Sequence, residues 1–345
     1  MRYGSVCSGI EAATVAWRHL GWECAFVSEI DAFASAVLKE RLPAVPNLGD
    51  FTKIRPGDYG GDIDLLVGGT PCQAFSKAGL RKGLEDERGN LALEFAGLAF
   101  RTHARWVVWE NVPGVLSSGS GRDFAIFLSK LAGWKVPVAK GGWKKAGLLT
   151  GAPGCFSVGW RVLDAQYTRV QQFPRAIPQR RKRLVLAGYL GDWGAVRGVF
   201  FDGEMCGGYS PPSRDKGGSA AKWTCGGSGE CIPLDLTNLD GLTRHLKGKC
   251  YDDVVPSAYT ITRRRPSGVC VNGKVRMLTP VECERAMGFP DGYTSIAWHG
   301  RDAAQGPRWS RYRALGNTMN VNVMAWVGER IDAVEKENFD GRQQT

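Results

Sequence analysis

The chain repeats one local pattern: a short apolar run, a turn containing glycine or proline, then a segment with helical spacing. Ile63–Val67 and Trp106–Trp109 are nearly continuous apolar runs, the mark of strands covered on both faces. Tyr3–Val6, Glu23–Ser28 and Leu184–Ala187 read as further strands. Between them, Ile10, Ala13, Ala16, Trp17 and Leu20 recur at helical spacing, as do the apolar residues of Ala32–Leu42 and Leu91–Phe100. Ala32–Leu42 stops before Pro43, where a helix ends for steric reasons. Strands that alternate with helices bury both faces of a sheet, so the expected fold is a doubly wound, Rossmann-like α/β domain with a mostly parallel sheet.

From about Gly191 to Asn272 the texture changes: Gly207-Gly208, Gly217-Gly218-Ser219 and Gly226-Gly227-Ser228-Gly229 break any period, and Pro211-Pro212 punctuates it. This predicts a first domain over 1–190, a smaller irregular domain over 191–272 and a hinge segment over 273–308. Pro280 is placed at a helix start. The amphipathic helix Val321–Val334, within a segment 309–338, is expected to return to the first domain, with a frayed tail over 339–345.

Composition narrows the partners. Lys and Arg number 45 against 34 Asp and Glu, a net charge of +11 that suits a polyanion. A hydrophobic fraction of 43% with 23% charged residues excludes a mainly disordered chain. No apolar run approaches the roughly 18–20 residues of a membrane span. Met1–Val6 shows no charged-then-apolar leader, so the ten cysteines are expected as reduced thiols in a cytoplasm. Cys206, Cys225, Cys231, Cys250 and Cys270 contain no C-x₂-C pair and His245 stands apart, so no metal is expected.

Five constellations carry chemistry. Gly9 lies in the turn after the first strand, and Glu29 follows about 20 residues later at the end of the second, the spacing of a nucleoside site with an acid on the ribose. One glycine is too few for a pyrophosphate cradle, and the same residues also read as an ordinary βα turn with a surface acid. Cys72, in Gly68-Gly69-Thr70-Pro71-Cys72-Gln73-Ala74-Phe75-Ser76, follows a buried strand at the sheet edge where ligands bind in such folds. Lys77, Arg81, Lys82 and Arg88 nearby would favour its thiolate. Glu110 ends another buried strand on the same edge, placed to hold a proton on a ring nitrogen or simply to cap a helix. In Gln179-Arg180-Arg181-Lys182-Arg183, alternation turns Arg181 and Arg183 to one face, to clamp a carbonyl or phosphate, or as part of a solvated basic edge. Asn317, in Arg313-Ala314-Leu315-Gly316-Asn317-Thr318-Met319, reads most simply as the cap of the following helix.

In this order, these segments resemble the cytosine-5 DNA methyltransferases of bacteria and their phages. Pro71-Cys72-Gln73, Glu110-Asn111-Val112, Gln179-x-Arg181-x-Arg183 and Gly316-Asn317 are signature elements of that family, and Gly49-Asp50-Phe51, Asp86–Leu91, Leu278–Cys283 and Met287–Pro290 agree with it. The resemblance implies a methyltransferase using S-adenosylmethionine, with S-adenosylhomocysteine as product, and acting on a cytosine flipped out of duplex DNA. Cys72 would add to C6, Glu110 would contact N3 and the exocyclic amine, and Arg181 and Arg183 would sit by the base carbonyl. Cys7, Gly9, Ile10, Glu29, Ile30, Asp50, Phe51, Pro71, Leu91, Asn317 and Met319 would line the cofactor pocket. Gln73, Ser76 and Arg88 would touch DNA beside the nucleophile, and Thr260, Thr262, Arg263 and Arg264 from the irregular, target-recognition domain. The expected enzyme is a cytoplasmic monomer with no membrane partner, either paired with a restriction endonuclease or solitary. The family often has Phe where Cys7 stands and Gly where Glu11 stands. Trp134–Val158 falls outside the resemblance, and Thr168–Ile177 is longer than the family pattern. Rival readings are a binding protein that keeps the fold without chemistry, C5 methylation of RNA, and a redox thiol protein; the last lacks a C-x-x-C motif.

Overall fold

The computed structural model describes residues 1–71, 91–170, 179–201, 231–234, 268–271, 274–304 and 306–343. Strands β1 (Arg2–Val6), β2 (Glu23–Ser28), β3 (Leu65–Gly68) and β4 (Trp106–Asn111) pair in parallel in the order β2-β1-β3-β4. Helices α1 (Ala12–Trp17) and α2 (Ala32–Arg41) follow β1 and β2, and α3 (Leu91–Arg101) and α4 (Arg122–Ala132) flank β4 in sequence. The sheet then continues through β7 (Lys182–Leu190), β6 (Phe156–Asp164) and β5 (Ala146–Leu149), each antiparallel to its neighbour. Three of the six pairings are parallel, so the sheet is mixed where the sequence pattern predicts a mostly parallel one. Among the described residues no crossover helix separates β5, β6 and β7, and such connections return the chain antiparallel.

Alternation along the strands divides the core into two layers. Leu65 and Val67, Trp106 and Val108, and Val185 and Ala187 face one layer; Leu66, Val107 and Trp109, and Leu184 and Leu186 face the other. All are buried, which explains the unbroken apolar runs. Helix α5 (Trp193–Phe201) packs Val196, Val199 and Phe200 into the first layer, so packing on this sheet continues past residue 190. A small antiparallel sheet joins β8 (Cys231–Leu234), β9 (Gly268–Val271) and β10 (Lys274–Met277).

Helix α6 (Pro280–Met287) begins at the predicted proline, capped by Thr279 and Glu282, each bonded to the other's backbone N–H. It is followed by α7 (Arg308–Asn317) and α8 (Val321–Gln343). Leu278, Cys283, Met287 and Phe289, in the segment expected as a hinge, are core residues of the first layer. Helix α8 packs on α1: Trp17 Nε1 donates to Met324 O at 2.8 Å, and a Cβ on Gly328 would fall 2.3 Å from that nitrogen, so glycine is required there. The helix also outruns its expected end, through residues expected to be frayed, because no proline or strong breaker intervenes. Its cap is Asn320, whose Oδ1 accepts from Val323 N at 3.2 Å. Asn317, expected as that cap, is instead the exposed last residue of α7.

Candidate active site

The carboxyl ends of β1 to β4 lie along one edge, and the residues singled out in the sequence gather there. After β1 the chain turns through three left-handed residues, Cys7 (φ 49°), Gly9 (φ 57°) and Glu11 (φ 62°). Two of them are not glycine, which costs on the order of 1 kcal/mol each. Ser8 holds the turn: its Oγ donates to Ser5 O (2.9 Å) and accepts from Ser28 N (3.0 Å). Glu11 is buried, accepting from Ser5 Oγ (2.6 Å) and Thr14 N (3.1 Å), which caps α1. Burial raises its carboxyl to about 7, against the lowering pull of these hydrogen bonds.

Glu29 closes the turn from the end of β2. Its Oε2 accepts from Gly9 N at 2.7 Å, and its Oε1 from Ile30 N (2.9 Å) and Asp31 N (2.7 Å). Ile30 beside it is 79% exposed, an apolar side chain standing free of the core. Asp50 caps the turn Phe51–Lys53 and is held below the usual carboxylate range by its bonds from Thr52. Burial first, then the nearby Glu29 and Asp50, push the Cys7 thiol up to about 12, making it a neutral packing group. Cys7, Gly9, Glu29 and Asp50 are therefore brought together as expected. The side chains of Ile10 and Phe51 are in the two core layers, and Leu91 packs against the second.

The chemical end of the edge is built from β3, β4 and β7. Thr70 anchors the chain before Pro71: its Oγ1 accepts from Trp109 Nε1 (2.9 Å) and its O from Asn111 Nδ2 (3.0 Å). Cys72, Gln73, Ser76 and Arg88 lie outside the described residues, as do Thr260, Thr262, Arg263 and Arg264. Glu110 extends from β4 toward Arg183 on β7, with Nε 3.0 Å from Oε1. That contact is an ion pair without an aligned hydrogen bond, for Oε1 is buried and accepts none. A Cβ on Gly69 would lie 3.1 Å from Met319 Cε and 3.5 Å from Glu110 Oε2, so Met319 and Glu110 share one wall.

Arg181 is buried, while Arg183 is half-buried and Lys182 exposed, in keeping with alternation along the chain. Arg181 Nη2 donates to Thr318 O (2.6 Å) and Gly316 O (3.2 Å), leaving Nε and Nη1 buried without hydrogen-bond partners among the described residues. Burial, and then the neighbouring Arg183, pull its guanidinium down to about 9, opposed by Glu110. Sequence reasoning gave Thr318 and Thr70 no role. Thr318 joins Arg181 to the Gly9 turn, against which its Oγ1 lies 3.7 Å from where a Cβ would stand. Nothing in the local sequence marks that contact. Thr70, by contrast, was readable as the polar residue leading into Pro71-Cys72.

The sequence model of the C-5 cytosine-specific DNA methylases matches residues 1–198 and 214–333. A protein of Escherichia phage P1 named DNA N-6-adenine-methyltransferase is 32% identical, over 95% of this chain and 61% of its own length. Type II methyltransferase M.NgoBV of Neisseria gonorrhoeae is 36% identical over 49% of this chain and 35% of its own. The chain thus matches less than two thirds of the length of each of these two relatives. The crystal structure of S. pombe Dnmt2 methyltransferase superposes with a TM-score of 0.56 at 17% identity, covering 98% of this chain and 99% of that one, a likeness of fold.

Proposed function

The chain belongs to the C-5 cytosine-specific DNA methylase family, and we propose that it transfers a methyl group from S-adenosylmethionine to C5 of a cytosine swung out of duplex DNA. One observation carries the reading: on one sheet edge Glu110 Oε1, ion-paired with Arg183 but accepting no hydrogen bond, stands with Arg181, whose buried Nε and Nη1 have no partner among the described residues, and Thr70-Pro71, directly before Cys72 in sequence, is anchored on that same edge. Buried polar atoms without partners cost about 1–3 kcal/mol each, and a ligand with matching polar groups removes that cost.

A cytosine ring matches them. Glu110 would take up one proton from solvent as the base enters, share it with N3 and accept from the exocyclic amine, while the arginine pair faces the ring carbonyl. The Cys72 thiolate forms a bond to C6, and the electrons of the C5–C6 double bond move to C5, stabilised by the proton at N3. C5 would take the methyl group as its bond to the donor sulfur breaks, leaving S-adenosylhomocysteine; loss of the C5 proton to a base then restores the double bond and expels the Cys72 thiolate. Flipping the base costs a few kcal/mol, which backbone contacts from the basic surface must offset.

The donor site is at the Gly9 turn. When bound, S-adenosylmethionine supplies an electrophilic methyl group on a sulfonium centre. Glu29, already fixed by three backbone N–H groups, retains acceptor capacity on Oε2 for one ribose hydroxyl. Exposed Ile30 offers an apolar face to a flat heterocycle. A donor without phosphates also fits a turn with Gly9 as its single glycine between Ser5 and Glu11.

A second reading is methylation of the adenine exocyclic amine, the activity in the phage P1 relative's name. It assigns no task to a nucleophilic Cys72, since an exocyclic amine attacks the donor with its own lone pair. One assay separates the readings: label duplex DNA and tRNA from the methyl donor, then identify the product nucleoside. 5-Methyldeoxycytidine is expected, with capture of wild type but not Cys72→Ser by DNA containing 5-fluorocytosine. N6-methyladenine, label only in tRNA, or capture through another residue would overturn the proposal. The enzyme is taken to work as a monomer in the cytoplasm; sedimentation of the full chain checks the first.

A further inference from the structure

Residues 124–163 contain six basic side chains and no Asp or Glu, although the chain as a whole has three acids for every four bases. This stretch holds the part that the signature elements leave unexplained. It adds β5 to the outer edge of the sheet and, ahead of β5, a loop over residues 133–145.

The register fixes where that loop stands. Glu110 pairs with Val185, Val185 with Arg161, and Arg161 with Ala146. The start of β5 therefore lies in the same row as Glu110, three strands away, or about 14 Å at ~4.8 Å per strand. Lys144 and Lys145 immediately precede it and Lys140 lies one tight turn further back, all three exposed. None of them forms an ion pair among the described residues. The loop is anchored from below. Trp143 Nε1 donates to Gly121 O (2.8 Å), its ring meets Phe124 and Trp160 edge-on, and Trp160 Nε1 donates to Lys144 O (3.2 Å). Exposed Arg122 opens α4 beside this anchor. A rigid cationic ridge thus rises on the same sheet edge as the carboxylate that meets the base.

We propose that Lys140, Lys144 and Lys145 form an additional clamp on duplex DNA, taking backbone phosphates to one side of the target base. A lateral offset of about 14 Å is about four base pairs at 3.4 Å each. The clamp therefore grips the flank of the site, contributing affinity but no sequence choice. This inference rests on the proposed action on duplex DNA.

Two measurements on the full chain test it, using a mixed-sequence 30-base-pair duplex. In the first, lysines are acetylated with and without duplex and quantified by mass spectrometry. Lys140, Lys144 and Lys145 should be protected several-fold. Lys135 should not, because it adjoins Trp134, whose Nε1 donates to Thr150 O beyond the opposite end of β5. In the second, duplex affinity is followed against salt for wild type and the triple variant Lys140→Ala, Lys144→Ala, Lys145→Ala. At about 0.9 counterions per phosphate, the slope of log Kd against log salt should fall by two to three, with about 10- to 100-fold weaker binding near 0.1 M salt. The triple Lys→Arg variant should restore both. An unchanged slope, or protection of Lys135 equal to that of the ridge, overturns the clamp while leaving the proposed function intact. Wild type that does not bind the duplex at all overturns both.

Discussion

Arg181 Nη2 donates to the main-chain carbonyl of Thr318 at 2.6 Å, tying the start of β7 to the segment between α7 and α8, 137 residues later. Thr318 also lies against the Gly9 turn, so one residue separates the arginine proposed to face the substrate from the turn proposed to face the donor. The two halves of the site are thereby built on a single contact chain.

Removing Arg181 should therefore cost both stability and rate. Arg181→Ala strands the buried Thr318 carbonyl and the part-buried Gly316 carbonyl and opens a cavity, for an expected loss of about 2–4 kcal/mol. Arg181→Lys keeps the charge but not the planar fork and should recover only part of this. Urea unfolding of the three proteins reads the effect; equal midpoints would mean that the Thr318 contact holds nothing in place.

Glu110→Gln removes the proton donor while keeping shape. Methyl transfer in a single turnover should slow by about 10²- to 10⁴-fold, the usual contribution of a positioned acid or base. Donor affinity should stay within a few-fold of wild type, because Glu29 and the Gly9 turn belong to other strands. A rate within ten-fold of wild type would remove Glu110 from the chemistry.

Glu29→Ala should weaken donor binding about 10- to 100-fold, measured by calorimetry, with a smaller effect for Glu29→Gln. The alanine variant loses the ribose acceptor and also releases Gly9 N, Ile30 N and Asp31 N from their common partner. Unchanged donor affinity in both would place the donor elsewhere.

What the sequence reveals of all this depends on how local its cause is. Leu65–Val67 and Trp106–Trp109 are legible because a strand buried on both faces must be apolar throughout. The gathering of Glu110, Arg181 and Gly9 on one edge follows from strand ends and alternation. Strands β5 and β6 were not legible, because their pairing rests on a glycine beneath an aromatic ring. A Cβ on Gly147 would fall 2.2 Å from the Trp160 ring, and linear order carries no trace of that. The cap of α8 was placed three residues early, at Asn317 instead of Asn320, since either asparagine can cap and only the helix start decides. Glu11 reads in sequence as an acid where a glycine was expected. The bonds from Ser5 and Thr14 that let it occupy a left-handed turn exist only once β1 and α1 are folded together.

Glu11 leads to the last prediction, one of pH. Its carboxyl ionises near 4.5 in the unfolded chain and is raised to about 7 in the folded one, burial being the main cause. Between those values the folded protein keeps a proton that the unfolded chain has lost. The stability this contributes is complete below about pH 4.5 and is lost as pH rises through 7. At 1.36 kcal/mol per pKa unit it amounts to roughly 3 kcal/mol. Tyr3 on β1, Cys24 on β2 and Tyr293 after α6 face the same carboxylate; burial comes first in raising all three, with Glu11 adding to the rise, so none offers it a cation at neutral pH. Glu11→Gln keeps an oxygen to cap Thr14 N and cannot ionise. Its unfolding free energy in urea, minus that of wild type, should rise by about 3 kcal/mol between pH 5 and 8. Glu329, which burial also raises, is common to both proteins and cancels in that difference. A difference that stays flat across this range would mean that Glu11 titrates as an ordinary exposed carboxylate and that the turn beneath the donor site carries no buried charge.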